Sequence, residues 1–489
     1  MITKVFRFFK KYWLPISALV IATLMFSPSL RGFFTHDDFY FLKIANVSSW
    51  NDFINFFNPI KDIESIGVYR PLTLRVFYFL GATLFNLNPI ALRIIAFLTF
   101  YVDIILVGFL VKLLTGNAKI AAFSLFLYAT SVTHFGQLYY IGAYQELLLT
   151  FTFLASVIFF IKFEIESGKR IKYESLVISL LFFLLSLMSK ETGVMLPAVL
   201  VLVHLYLRAT KQTKLNFKRI VFSLLPYAVI ASVYLAMHFI GFGVIEGDSY
   251  IWNFSITKAV NTTFWYFLWS LNLPETLVDF VGPGIHLNPN LLKYWSDQII
   301  PIFILFVIQI ILVIYAFFKS LKSKIINLKP VIILSSFWFV ATILPVVFLP
   351  LHKFTYYLTL PLFGVVLTLS YLFINLKSKI YILFCIVWVA ISLVSLRLTT
   401  ETNWITQGLE VSERVNSFLK ENQSGIGGKK IVFVDTPEDS VLPWSPTATL
   451  KTVLSGNNFF DVFYPDLSSR VSYSGDGDIK INSRQFLGY

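Results

Sequence analysis

The chain has 489 residues, of which 56% are hydrophobic and only 14% charged. A soluble fold of that composition could not cover its surface with polar groups, and many apolar stretches reach or approach the roughly 20 residues that a spanning helix needs. The net charge of +13 invites a nucleic-acid partner, but its distribution along the chain excludes one.

In chain order, Lys4, Arg7, Lys10 and Lys11 precede an apolar run at 12–30 that lacks a small-residue cleavage site. The run therefore reads as a retained first span with a cytoplasmic N-terminus. Residues 31–91 form a first outer segment. Ser48-Ser49-Trp50-Asn51-Asp52 opens a short amphipathic surface helix. Residues 71–86 are apolar but short, between Pro71 and Asn86-Leu87-Asn88-Pro89. Treating them as a second surface helix leaves spans near 12–30, 90–111, 120–134, 141–161, 174–189, 192–207, 220–241, 299–318, 330–349, 355–375 and 380–398. The inner segments then hold 21 of the 40 Lys and Arg with only three acids at or near them. Letting 71–86 span would invert everything downstream and turn the basic loops outward, against the positive-inside rule. The surplus charge is therefore topological.

Residues 242–298 read as interfacial helices and a loop, with a turn at Val281-Gly282-Pro283-Gly284. Residues 400–489 have a soluble composition, with a helix over 410–422 and a strand over 430–435. The expected fold is an all-α polytopic membrane protein with about 11 transmembrane helices, surface helices in the first outer loop and a small C-terminal outer α/β appendage. The expected division is a membrane domain at 1–399 and an extracytoplasmic domain at 400–489, in a bacterial plasma membrane. The lone Cys385 lies in an apolar run and says nothing about redox compartment.

With sides assigned, ionisable residues gather at one rim. His36, Asp37 and Asp38 lie past the first span, in a long exposed loop closed by Tyr69-Arg70-Pro71-Leu72. His134 ends the third span, Gln145-Glu146 open the fourth, and Lys190-Glu191 and His352-Lys353 sit in outer hairpins. Charge beside a span is costly and usually marks a site or a buried pair. Asp103, deeper in its span, and His204, His238 and His286 read as structural.

These residues resemble motifs of the C-type (GT-C) integral-membrane glycosyltransferases, most closely the protein O-mannosyltransferase branch that uses polyprenyl- or dolichyl-phosphate sugars. In that family an acidic pair follows span one, a YRPL-like element closes the loop, an H…G…E segment follows span three and a KE occupies a later hairpin. Here the counterparts are Asp37-Asp38, Tyr69-Arg70-Pro71-Leu72, His134…Gly142…Glu146 and Ser189-Lys190-Glu191; Lys353-Phe354-Thr355-Tyr356-Tyr357-Leu358 is similar to the family's basic-Tyr-Leu element. The match covers about residues 1–400. The chain departs from the pattern in lacking a TPR array and in carrying Lys353 where Arg is common, and residues 400–489 carry no recognisable motif.

The resemblance implies transfer of a single sugar from a polyprenyl phosphate to an acceptor hydroxyl, with inversion. Asp37 would be the general base and Asp38 its support. Arg70, Lys190 and Lys353 would bind the donor phosphate, and His36, Tyr69, His134, Glu146 and Glu191 would orient these groups or meet the sugar. The partners implied are a polyprenyl-phosphate-linked donor, membrane lipids and an acceptor protein, lipid or glycan, without nucleic acid. No cofactor is required; a divalent cation at His36-Asp37-Asp38 is the less favoured variant, belonging to an oligosaccharyltransferase. An oligosaccharide polymerase or ligase and, further off, a lipid-linked sugar transporter or flippase are the competing readings.

Overall fold

The long apolar runs become helices whose ends are set by local chemistry. In the computed structural model, which describes residues 2–59, 68–165, 169–213, 217–241, 250–282, 286–322, 328–374 and 376–488, the first helix, α1, spans Ile2–Phe26. Two short helices follow, α2 over Asp37–Ala45 and α3 over Trp50–Asn55, then α4 over Pro71–Leu84 with π-helical turns at both ends. The Ser49 hydroxyl caps α3 by accepting from the Asp52 amide at 3.2 Å, so the sequence signal for this surface helix is realised. Helix α2 was not expected: the acidic pair opens a helix rather than lying in a long exposed loop.

Helix α5, Pro89–Thr115, starts where Asn88 accepts from the Ile90 amide at 3.0 Å with Pro89 in the first turn. It ends at Gly116, whose φ of +68° lets the chain leave the helix. Asn117 caps the next helix, α6 (Ala118–Ala129), and this two-residue turn makes α5 and α6 an antiparallel pair. Then come α7 (Phe135–Tyr139), α8 (Tyr144–Ile165), α9 (Lys169–Ser189), α10 (Leu196–Ala209), α11 (Phe217–Gly241) and α12 (Ile256–Trp269). The remaining elements of this part are α13 (Leu277–Phe280), α14 (Pro289–Lys322), α15 (Leu328–Val347), α16 (Leu362–Phe373) and α17 (Ser378–Thr402). Among the described residues, eight helices are long and apolar enough to cross a membrane, and four shorter apolar ones accompany them. The molecule is an all-α multi-pass membrane protein.

Two expected spans are shorter than the apolar runs that carry them. The run at 120–134 leaves α6 at Ala129 and becomes a 3-10 turn at Val132–His134. The run at 355–375 opens as a 3-10 turn at Thr355–Leu358, and its α-helix begins only after Pro361. Strands Val281–Gly282 (β1) and His286–Leu287 (β2) pair antiparallel; Pro283-Gly284 of the expected turn, and residues 60–67 and 242–249 of the two outer segments, lie outside the described residues.

The C-terminal part begins with α18, Trp404–Glu421. Strands β3 (Ile431–Val434), β4 (Val471–Ser472) and β5 (Ile479–Asn482) form a parallel sheet in the order β4-β3-β5. The crossovers include α19 (Pro446–Val453) and α20 (Asn458–Phe463). Ile431, Val432 and Phe433 of the central strand are fully buried. Helix α20 packs its Phe459 and Phe463 against Phe39 of α2, so this unit rests on the first loop.

Close packing depends on small residues at helix crossings. A Cβ at Gly364 of α16 would lie 2.4 Å from the Ser335 carbonyl oxygen and 3.3 Å from the Phe339 amide nitrogen of α15. Backbone cannot rotate away as a side chain can. Gly364→Val is expected to cost at least about 1–3 kcal/mol, read as a fall of several degrees in the thermal unfolding midpoint; an unchanged midpoint would show that the two helices can part freely.

Candidate functional site

The site is built where the loops of the membrane part meet the C-terminal unit. Its acidic end is the start of α2. His36, just before that helix, has a φ of +52° and a ψ of −124°, a conformation a non-glycine residue holds only when its surroundings fix it. The two carboxylates that follow the turn have different surroundings. Asp37 is exposed and accepts from the Tyr140 hydroxyl at 3.2 Å. Asp38 is fully buried; it accepts from the Thr35 amide at 3.1 Å and from the Tyr78 hydroxyl of α4 at 2.6 Å. Asp38 therefore shapes the turn that presents Asp37.

Tyr140 owes its position to Gly142, where a Cβ would come 2.6 Å from the Tyr140 ring. The same segment is held from behind by Arg93 of α5, fully buried, whose guanidinium donates to the carbonyls of Gly32 (3.0 Å), Phe33 (2.7 Å), Leu138 (3.2 Å) and Tyr139 (2.9 Å). Arg93 thus ties the first loop to the 138–140 segment, bringing Asp37 and Tyr140 together. Its sequence signal was a single Arg one turn inside a long apolar helix, which the reading above passed over.

The cationic end lies at the start of α4. Arg70 forms a fork with Glu191, with Nε donating to Oε2 at 2.7 Å and Nη2 to Oε1, while Nη1 donates to Gln145 Oε1. Beside it Lys190 is paired with Glu146, both almost fully buried, and the ammonium stands 4.2 Å from the centre of the Tyr357 ring. The Thr73 hydroxyl donates to the Ser189 carbonyl at 2.7 Å, fixing α4 to the Lys190 hairpin. Two cations and two anions make this end neutral overall. Among the described residues donors remain on it: an arginine carries five N–H groups and an ammonium three, and these bonds use three and one.

Tyr250 joins the two ends. It feels the charges of Arg70, Glu191 and Asp37, shares a hydrogen bond with Tyr357, and its ring stands 3.9 Å from that of His352. Burial pushes His352 down to about 3, and the charges of Lys190 and Arg70 add to the effect, so this imidazole is neutral. His36 is likewise pushed down by burial, to about 4.

Of the expected residues, Arg70, Glu146, Lys190 and Glu191 come together, Tyr250 links them to Asp37, and His36 and Asp38 frame Asp37. Tyr69 lies at the margin and donates to the Phe57 carbonyl at 3.1 Å. His134 is turned away. It is fully buried between the rings of Phe100 and Tyr128, its Nε2 2.9 Å from the Tyr128 carbonyl oxygen; the helix ends before it, and the 3-10 turn points the imidazole into the core. Lys353 is half-buried, and the charge beside it is Asp279 of α13; the neighbouring His352 takes the position facing Arg70 and Lys190. Tyr78, Tyr140 and Tyr250 were not anticipated, since 24 tyrosines in an aromatic-rich chain give no local signal.

No protein-family model matches the chain, and no curated protein sequence does. Among solved structures it is similar to the oligosaccharyltransferase of Archaeoglobus fulgidus. For the complex with zinc and sulfate the identity is 12% and the TM-score 0.43, over 91% of this chain and 61% of that one. For the apo form they are 12% and 0.42, over 91% and 64%. The chain therefore spans less than two thirds of the length of that protein.

Desolvation raises the Asp38 carboxyl from 3.8 to about 7, against the lowering effect of the Tyr78 and Thr35 bonds and of Arg93. Folded Asp38 thus keeps its proton where the unfolded chain has lost it. Its stabilising contribution is full below 3.8 and falls as pH rises to 7. Relative to wild type, Asp38→Asn is expected to gain stability between these pH values, by roughly 4 kcal/mol at most; a melting-temperature difference flat with pH would contradict this placement of the proton.

Proposed function

We propose that the protein is a glycosyltransferase that moves a single sugar from a polyprenyl-phosphate donor to an acceptor hydroxyl at the outer face of the membrane. The observation that carries the reading is the pairing, at one end of a multi-pass apolar bundle, of an exposed carboxylate with buried cations that keep N–H donors unused among the described residues. A lipid-linked donor suits this layout: its tail stays among the helices while the phosphosugar lies across the site, from Arg70 and Lys190 towards Asp37.

In the proposed reaction Asp37 takes the proton of the acceptor hydroxyl. The freed oxygen attacks the anomeric carbon, and the bond from that carbon to the phosphate oxygen breaks. Polyprenyl phosphate leaves with the electron pair, and its growing charge is met by Arg70 and Lys190. Glu191 and Glu146 hold these cations in place before the donor arrives, and the neutral His352 and Tyr250 line the path between the ends. Direct displacement inverts the anomeric centre. The mechanism uses no metal.

Membranes containing the protein, supplied with labelled polyprenyl-phosphate sugars, should transfer label to an acceptor with and without EDTA. Asp37→Asn should abolish transfer in a protein that still folds. Near-normal transfer by that variant would refute the assignment of the base, while loss in EDTA with rescue by manganese would favour the metal-dependent oligosaccharyltransferase reading.

The neutral charge balance gives a second expectation with opposite signs. Arg70→Ala should weaken binding of undecaprenyl phosphate by about tenfold or more, at about 1.5–3 kcal/mol for a charged hydrogen bond. Glu191→Gln frees Arg70 and should strengthen it. Equal affinity in wild type and both variants would remove Arg70 from the phosphate site.

A further inference from the structure

The C-terminal unit carries no recognised motif, yet one of its helices reaches the residues on either side of Asp37. Trp404, Gly408 and Ser412 are spaced four apart on α18 and so share one face. That face lies along Phe34-Thr35-His36. The Trp404 ring meets the His36 ring edge-on at 4.8 Å. At Gly408 a Cβ would come 2.5 Å from Thr35 Oγ1 and 2.6 Å from His36 Cε1. The Ser412 hydroxyl donates to the Phe34 carbonyl at 2.5 Å.

Further contacts close the arrangement. The His36 amide donates to the carbonyl of Val453, the last residue of α19, at 2.8 Å. Trp404 also packs edge-on against Tyr140, with ring centres 5.3 Å apart, and Tyr140 donates to Asp37. Lys43 of α2 pairs with Asp461 of α20 at 2.7 Å. The start of α18 is itself fixed, because Glu275 accepts from the Asn403 side-chain amide at 3.2 Å and from the Thr355 amide and hydroxyl at 2.5 and 2.6 Å. The left-handed turn at His36 thus has the C-terminal unit on its ring and on its amide.

We propose that the Trp404-Gly408-Ser412 face of α18 positions Asp37, by holding Phe34-Thr35-His36 in the turn that presents the carboxylate and by bracing Tyr140 against it. The proposal rests on the reading of Asp37 as the base. The three residues are positioning residues: they act on Asp37 through His36 and Tyr140. The cationic end is held separately, by Glu191, Gln145, Glu146 and the Ser189 carbonyl. Disturbing α18 should therefore slow the chemical step and spare the grip on the phosphate.

The test uses the full-length protein in lipid nanodiscs, with Gly408→Ala, Ser412→Val and Asp37→Asn prepared side by side. Gly408→Ala adds a single methyl against Thr35 and His36; Ser412→Val removes the bond to Phe34 independently, so either variant suffices if the other fails to fold. Two quantities are measured: maximal transfer rate from the labelled polyprenyl-phosphate sugar used by wild type, and affinity for undecaprenyl phosphate. The expected result is a rate lowered about ten- to a hundredfold, as for a misplaced catalytic group, with affinity within about twofold of wild type. Wild-type rates in both variants, with Asp37→Asn inactive, would overturn the proposal and leave the base assignment standing. A parallel fall of rate and affinity in both would also overturn it, since the face would then support the whole site. An active Asp37→Asn would instead refute the reading on which the proposal rests.

Discussion

Three charged side chains, Arg70, Glu146 and Lys190, are buried at one end of an apolar bundle with Glu191 partly exposed beside them, and charge removed from water is tolerated only when it is paired and hydrogen-bonded. Arg70 with Glu191, and Lys190 with Glu146, meet that requirement across three segments far apart in sequence. Their convergence obliges the start of α4, the first turn of α8 and the hairpin after α9 to meet, and the rest of the first loop follows. Removing one partner of such a pair would strand a charge, at a cost of about 3–5 kcal/mol, so the network sets structure before it serves chemistry. The absence of net charge also bears on the proposed function, in which a phosphate is recognised by donors the acids leave unused rather than by a bare positive patch.

The acidic end follows a different logic. Adjacent carboxylates normally share an environment, but a left-handed residue before α2 separates them. One is taken into the protein by Tyr78 and the Thr35 amide, while the other stays in water beside Tyr140. Arg93 braces this geometry through backbone carbonyls, and α18 packs against the same turn.

The helical layout was legible because spans are long and apolar and their caps are local: Asn88, Gly116-Asn117 and Ser49 all act within a turn of where they stand. The convergence of Arg70, Glu146, Lys190 and Glu191 was legible because charge in an apolar run needs an explanation. What escaped was non-local. Helix α2 is held in place by α20 and the Val453 carbonyl, more than 400 residues away in the chain. His134 looked like a site residue because it ends an apolar run, but the 3-10 turn that replaces the last helical turn points it inward. Lys353 and His352 differ by one position, and only the fold of the hairpin decides which of the two faces Arg70. The tyrosines were hidden by abundance, and Trp404 by lying in a segment of soluble composition.

Helix α4 is a gauge. It carries Arg70 immediately before its first residue and Tyr78 in its middle, so one rigid rod touches both the guanidinium and the buried carboxylate. Between them, Pro71–Val76 are π-helical, wound more widely than an α-helix. The span of the site is thereby written into a residue count. One residue inserted between Thr73 and Tyr78 would rotate one contact around the helix axis relative to the other. Changing the distance between the two contacts would therefore require whole turns of α4, while loops elsewhere could drift in length without altering the measure.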